Sequence, residues 1–166
     1  EGELRIHRTD SDSVVVVAFG TRATFTKDGA WLAYSIGVSP DAREAAQGAR
    51  NPVRNTLGLM NLLTGEQEEI EDIQSFSFSD DGAYLAIRRY KPEDKESDGV
   101  DVIVRTMATG ALMSFGNVSA LAWQDEGHLL ALTIDAGEQI GNAVSVFDPN
   151  KGQILPHHTD AATYRG

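Results

Sequence analysis

Three stretches of this 166-residue chain are copies of one phrase. The first is Phe25-Thr26-Lys27-Asp28-Gly29-Ala30-Trp31-Leu32-Ala33-Tyr34, and the second is Phe78-Ser79-Asp80-Asp81-Gly82-Ala83-Tyr84-Leu85-Ala86-Ile87. The third is Trp123-Gln124-Asp125-Glu126-Gly127-His128-Leu129-Leu130-Ala131-Leu132. Each reads as an aromatic at a strand end, a polar turn closed by Gly, and a short strand alternating large apolar residues with small or polar ones. Gly belongs in such turns because it tolerates the positive φ they need.

The copies stand 53 and then 45 residues apart, aromatic to aromatic, near the roughly 40–50 residues of a propeller blade. A second marker repeats with them. Thr64-Gly65 precedes Phe78 by 14 residues, Thr109-Gly110 precedes Trp123 by 14, and Lys151-Gly152 takes the same place after the third copy. Only the stretch between second and third strands varies in length, as a surface loop would. The pattern predicts an all-β fold, a partial β-propeller of three four-stranded antiparallel blades with pieces of two flanking blades. Residues 1–20 would end a preceding blade. Residues 21–73, 74–118 and 119–158 would form whole blades, and 159–166 would begin another. In the second blade the expected strands cover residues 75–79, 84–89, 101–106 and 112–115, the last a short outer strand. The three phrase aromatics are expected to pack between neighbouring blades. Three and a half blades do not close a ring, so the chain reads as a piece of a longer protein.

Composition sets further bounds. A net charge of −11 opposes nucleic acid and anionic membrane as partners, because the phosphate interaction would be repulsive. With no cysteine there are no disulfides or thiolate sites. No apolar run approaches the roughly 20 residues needed to span a bilayer. The loop over residues 37–55 is long, and Ser39-Pro40-Asp41 before Ala42-Arg43-Glu44-Ala45-Ala46-Gln47 is a helix-start signal.

Candidate chemistry is sparse. Asp94-Lys95-Glu96-Ser97-Asp98-Gly99 resembles the start of a calcium loop, but Arg105 occupies the twelfth position, where a bidentate Glu is needed. His157-His158 would point to opposite faces of a strand. The acids Glu66, Glu68, Glu69, Glu71 and Asp72 fit a solvated edge that discourages strand pairing. Arg88-Arg89 would neutralise acids in the loop at 91–101, and Asn117-Val118-Ser119, a glycosylation pattern, falls at a blade junction. There is no Gly-x-Ser-x-Gly elbow, no phosphate-cradling Gly loop and no paired Cys or His ligand set. No catalytic, cofactor-binding or metal-binding residue is assigned, no cofactor is expected, and the isolated chain is expected to be catalytically inert.

Phe78-Ser79-Asp80-Asp81-Gly82-Ala83-Tyr84-Leu85-Ala86, Val104-Arg105-Thr106-Met107-Ala108-Thr109-Gly110 and Val146-Phe147-Asp148-Pro149-Asn150-Lys151-Gly152 resemble the amino-terminal propeller of bacterial prolyl oligopeptidase-family serine peptidases. The resemblance covers nearly the whole chain. It implies a propeller that caps an α/β-hydrolase domain and limits access to peptide-sized substrates, in a periplasmic or secreted enzyme. Partners would be that hydrolase domain and peptides. The serine elbow and the Asp and His of a triad lie in a domain this chain lacks, so no catalytic residue carries over. Some dipeptidyl peptidases hold a substrate amine with paired glutamates in a helical insertion, and Glu68-Glu69 lacks that context. The motif F-S-x-D-G-x-x-L-A is shared with TolB-like propellers, so the alternative is a TolB-like protein-binding module. Either way, self-association through open terminal blades is expected.

Overall fold

The turns of the first two phrases match bond for bond in the computed structural model, which describes residues 2–48, 52–93, 95, 97–137 and 141–159. Thr26 Oγ1 donates to Asp28 Oδ1 at 2.6 Å, as Ser79 Oγ donates to Asp81 Oδ1 at 2.6 Å. The same hydroxyls accept from the Trp31 and Tyr84 amides at 3.0 Å. Asp28 and Asp81 accept from the Ala30 and Ala83 amides at 3.0 Å. Gly29 and Gly82 sit at φ 69° and 72°, the left-handed region glycine enters without a Cβ penalty. In the third copy Gln124 has no hydroxyl to play this part, and the positive φ moves to Glu126.

Two compact units carry these turns, residues 1–73 and 74–166. In the first, β1 (Glu3–His7) and β2 (Val14–Ala18) form an antiparallel pair. A four-stranded sheet follows, from β3 (Gly20–Phe25), β4 (Trp31–Ile36), β5 (Thr56–Asn61) and β6 (Gln67–Ile70) in chain order, with α1 (Pro40–Gly48) between β4 and β5. The helix starts where Ser39 Oγ accepts from the Ala42 amide at 3.1 Å, the capping the sequence signals. Ile6 packs with Leu32, Tyr34 and Met60, so the two-stranded piece covers one face of the blade. Tyr34 lies across from Gly58 on β5. Any Cβ at Gly58 would fall inside the van der Waals envelope of the tyrosine ring, which is why that strand carries glycine there.

The second unit is one continuous sheet in the order β7 (Ile73–Phe78, whose first residue belongs to the other unit), β8 (Tyr84–Arg89), β9 (Val100–Thr106), β10 (Leu112–Trp123), β11 (Leu130–Ile134), β12 (Ala143–Asp148) and β13 (Gln153–Thr159). The expected short outer strand over 112–115 does not end there. β10 pairs with β9 through Phe115 and Val118, then with β11 from Val118 to Trp123. One strand thus ends a blade and begins the next, and register shifts around Val118 turn it between partners. Tyr84, Val102, Val104 and Phe115 of one blade meet Leu130, Leu132 and Phe147 of the next in one core. Phe115 and Phe147 are edge to face at 4.9 Å, a favoured aromatic geometry.

The three described blade junctions share one backbone kink. Phe19, Asp72 and Asn117 all have positive φ, at 59°, 62° and 58°, and each precedes its phrase aromatic by six residues. Left-handed φ reverses the chain's twist where it leaves an outer strand for an inner one, and it costs a non-glycine residue about 1–2 kcal/mol. Asn117 is further fixed by Lys95 Nζ, which donates to its Oδ1 at 2.7 Å. Gly99 lets the loop approach, since a Cβ there would come within 2.5 Å of the Asn117 carbonyl oxygen.

The aromatics diverge from the sequence expectation. Trp123 packs against the core and donates Nε1 to the Ser77 carbonyl at 3.1 Å, which ties its strand to the preceding blade's inner strand. Phe25 is 58% exposed; among the described residues the sheet before it is the pair β1–β2. The other end of the repeat shows a matching difference. Ala86 is 2% exposed, whereas its counterpart Ala131 is exposed. Of the tail assigned to a further blade, 159–166, Thr159 instead ends β13 and pairs with Ala143, and residues 160–166 lie outside the described residues.

Candidate functional site

A polar constellation lies where the turns of the second and third blades meet. His128 occupies the position held by Ala30 and Ala83 in the other copies. Just beyond it Leu130 and Leu132 of β11 pack against the preceding blade, and the imidazole lies 5.8 Å from the Tyr84 ring of that blade. Nδ1 lies 3.0 Å from Asp81 Oδ2, and Nε2 lies 3.0 Å from Asn150 Nδ2 and 3.8 Å from Asp148 Oδ1. Asn150 Oδ1 accepts from the Tyr84 hydroxyl at 2.8 Å, and Lys151 Nζ pairs with Asp148 Oδ2 at 2.9 Å. The tautomer consistent with both contacts carries its proton on Nδ1, donates to Asp81 and accepts from Asn150.

The electrostatics follow from these contacts. Burial pushes the Asp81 carboxyl up, but the Ser79 hydroxyl, the Ala83 amide and His128 together outweigh it and hold the carboxyl below its ordinary range. The Lys151 ammonium holds Asp148 low. Tyr84 is raised by burial and then by the charges of Asp81 and Asp148. A Ser, an Asp and a His are adjacent here, but in an order that prevents nucleophilic catalysis. Ser79 is 3% exposed, its hydroxyl is committed to Asp81 and to the Tyr84 backbone, and the histidine touches the aspartate rather than the serine. The cluster is a clamp between two blades.

Openings occur among the described residues of the first unit. One, of about 680 Å³, is lined by Phe19, Thr21, Arg22, Val38, Arg43 and Gln47 among others. It lies between the start of β3 and the helix of the long loop. Another, of about 520 Å³, runs along β1 beside Ala23, Phe25 and Leu32.

The residues singled out from sequence fall apart in space. Arg88 donates to Gln74 Oε1 at 3.2 Å and to the Ser119 carbonyl at 3.1 Å, so it bridges two inner strands instead of ending in the loop at 91–101. Burial lowers its pKa, against the pull of Asp98. Lys91 pairs with Asp98 at 3.2 Å. Asp94 and Glu96 lie outside the described residues, and among the described residues no three acidic or imidazole groups gather to hold a metal ion. His157 and His158 belong to β13; their side chains fall outside the description. Glu68 and Glu69 lie on β6, the edge strand of its sheet, and Asp72 lies 3.7 Å from Arg54. Asn117, Val118 and Ser119 form the kinked junction, with Val118 fully buried. Sequence reasoning passed over His128 and Arg22. The break from alanine at the fifth place after the aromatic was the available signal for His128; Arg22 had none.

The fold defines a partial β-propeller, three four-stranded blades preceded by a strand pair. Solved structures share this fold. The chain resembles the β-propeller domain of the trilobed protease from Pyrococcus furiosus at TM-score 0.59 and 11% identity, over 95% of this chain and 48% of that one. It resembles Pyrococcus horikoshii acylaminoacyl peptidase at TM-score 0.51 and 10% identity, over 95% of this chain and 28% of that one. The tricorn protease matches at TM-score 0.50 and 16% identity, over 89% of this chain and 14% of that one. The chain therefore spans about half, or less, of each of these structures. No family model matches the sequence, and no curated protein matches it.

Proposed function

We propose that this chain is a non-catalytic propeller segment of a larger serine peptidase of the prolyl oligopeptidase family, which gates and filters peptide substrates for an α/β-hydrolase domain. The reading rests on the likeness of 95% of the chain to the trilobed protease propeller, alongside the phrases through which the sequence resembles that family. A propeller filters by steric exclusion. Its blades are rigid and its loops line the approach, so peptides pass and folded proteins do not. The test uses the polypeptide that carries this chain. Treated with an active-site fluorophosphonate, it is expected to label at one serine outside residues 1–166, and to cleave short fluorogenic peptides but not a folded protein. Labelling of a serine within these residues would overturn the proposal. So would a polypeptide with no labelled serine that captures protein ligands, the behaviour of a TolB-like module.

We also propose self-association through the open terminal blades. The supporting observations are the 58% exposed Phe25 and β1, which pairs with β2 alone among the described residues. Light scattering over a dilution series is expected to show dimers that dissociate on dilution. A monomer at every concentration contradicts it.

A further inference from the structure

We infer that the 680 Å³ cavity of the first unit binds the free carboxylate of a short peptide through Arg22 and Arg43. Three observations carry this. First, the backbone presents Arg22 deliberately. β3 shifts register against β4 between Thr21 and Thr24, so Arg22 sits on a bulge, at φ 53°. Bulges re-aim side chains, and left-handed φ in a non-glycine residue is strain that tends to gather at ligand sites. Second, neither guanidinium has a hydrogen-bond or ion-pair partner among the described residues, whereas Arg5, Arg8 and Arg54 of the same unit each pair with an acid. Two arginines that form no ion pair among the described residues line one cavity in a chain of net charge −11, and leave local positive charge for an anion.

Third, the lining selects among anions. Glu44 shares the cavity wall, so the ionised side chains sum to a single positive charge. That suits a monoanionic carboxylate better than a phosphate dianion. The volume lies in the range of small-molecule sites and exceeds what a lone acetate-sized acid needs. Thr21 and Gln47 offer hydroxyl and amide groups for a peptide backbone beside the apolar Phe19, Val38 and Pro40. The helix that supplies Arg43 lies in the long loop flagged by sequence. The inference does not depend on hydrolase activity, and failure of the peptidase reading leaves it standing.

Fluorescence polarisation of a labelled alanine-rich tetrapeptide with a free C terminus tests it, against three competitors: the same peptide as its C-terminal amide, a C-terminally amidated peptide with one internal Asp, and inorganic phosphate. Binding of the free acid is expected, with the amide weaker by about tenfold or more, since a charge-assisted contact is lost. Strong competition by the Asp peptide would move the source of the carboxylate to a side chain and overturn the C-terminal assignment. Arg43→Ala and Arg22→Gly should each weaken binding several-fold with unchanged melting, because Arg43 is exposed and glycine accepts φ 53° without strain. Equal affinity for acid and amide, tighter binding of phosphate, wild-type affinity in both variants, or no binding of the free acid at millimolar concentration would each overturn the inference.

Discussion

Gly58→Ala should destabilise the first unit, and the same substitution should stabilise it once Tyr34 is shortened. Tyr34 is 1% exposed and its ring lies over Gly58, so a new Cβ would meet Cε2, Cζ and Cδ2 of the ring. The ring has little room to retreat, with Ile6, Leu32 and Met60 packed in the same cluster. Overpacking of this kind costs about 1–3 kcal/mol, while alanine in place of a strand glycine recovers about 0.5–1 kcal/mol through the unfolded state. The net in the natural chain is a loss of up to about 2.5 kcal/mol. In a Tyr34→Leu background the two nearest ring atoms are gone, and only the gain remains. Urea unfolding followed by Trp31 fluorescence, in a Trp123→Phe host that removes the other tryptophan, gives the four stabilities of the cycle. The coupling should exceed about 1 kcal/mol with a change of sign. Equal destabilisation by Gly58→Ala in both backgrounds would refute the steric argument.

The blade clamp makes stability depend on acid. The Asp81 carboxyl is held low in the folded state, so its contribution is complete above the unfolded value of about 3.9 and fades as pH falls below it toward the folded value. Asp81→Ala should therefore lower urea midpoints at pH 7 and flatten their decline below about pH 4; an unchanged acid slope would count against the clamp. Trp123→Phe removes the Nε1 bonds to Ser77 and should cost about 1 kcal/mol, read as a lower thermal midpoint for the second unit. Asn117→Val places a β-branched residue at φ 58° and should cost about 1–3 kcal/mol, while Asn117→Gly should cost less despite losing the Lys95 contact.

Much of this fold was readable from local chemistry. Asp28-Gly29 and Asp81-Gly82 specify the same turn because a hydroxyl, a carboxylate and a glycine at fixed offsets leave the backbone one good arrangement. Ser39 announced α1 by the same logic. What escaped depends on partners distant in sequence. β10 reads as two strands because Gly116-Asn117 looks like a break, yet the ladder continues through it as the strand changes neighbours. Phe25 reads as a copy of Trp123, but Trp123 reaches Ser77 on the inner strand of the preceding blade, while among the described residues Phe25 is preceded by the β1–β2 pair. His128 reads as a variant of a repeat position, since its role appears only once Asp81 and Asn150 are brought to either side of the ring. Arg22 depends on a one-residue register shift that no local propensity encodes.

The central claim is that one structural unit recurs three times and that its junctions share a kink. A crystal structure of the chain, with residues 19–34, 72–87 and 117–132 superposed, tests this most directly. Phe19, Asp72 and Asn117 should all have left-handed φ, and Asp28 and Asp81 should accept the same pair of bonds from hydroxyl and amide. A junction with extended φ at any of the three, or Asp28-Gly29 in a different turn from Asp81-Gly82, would contradict the account.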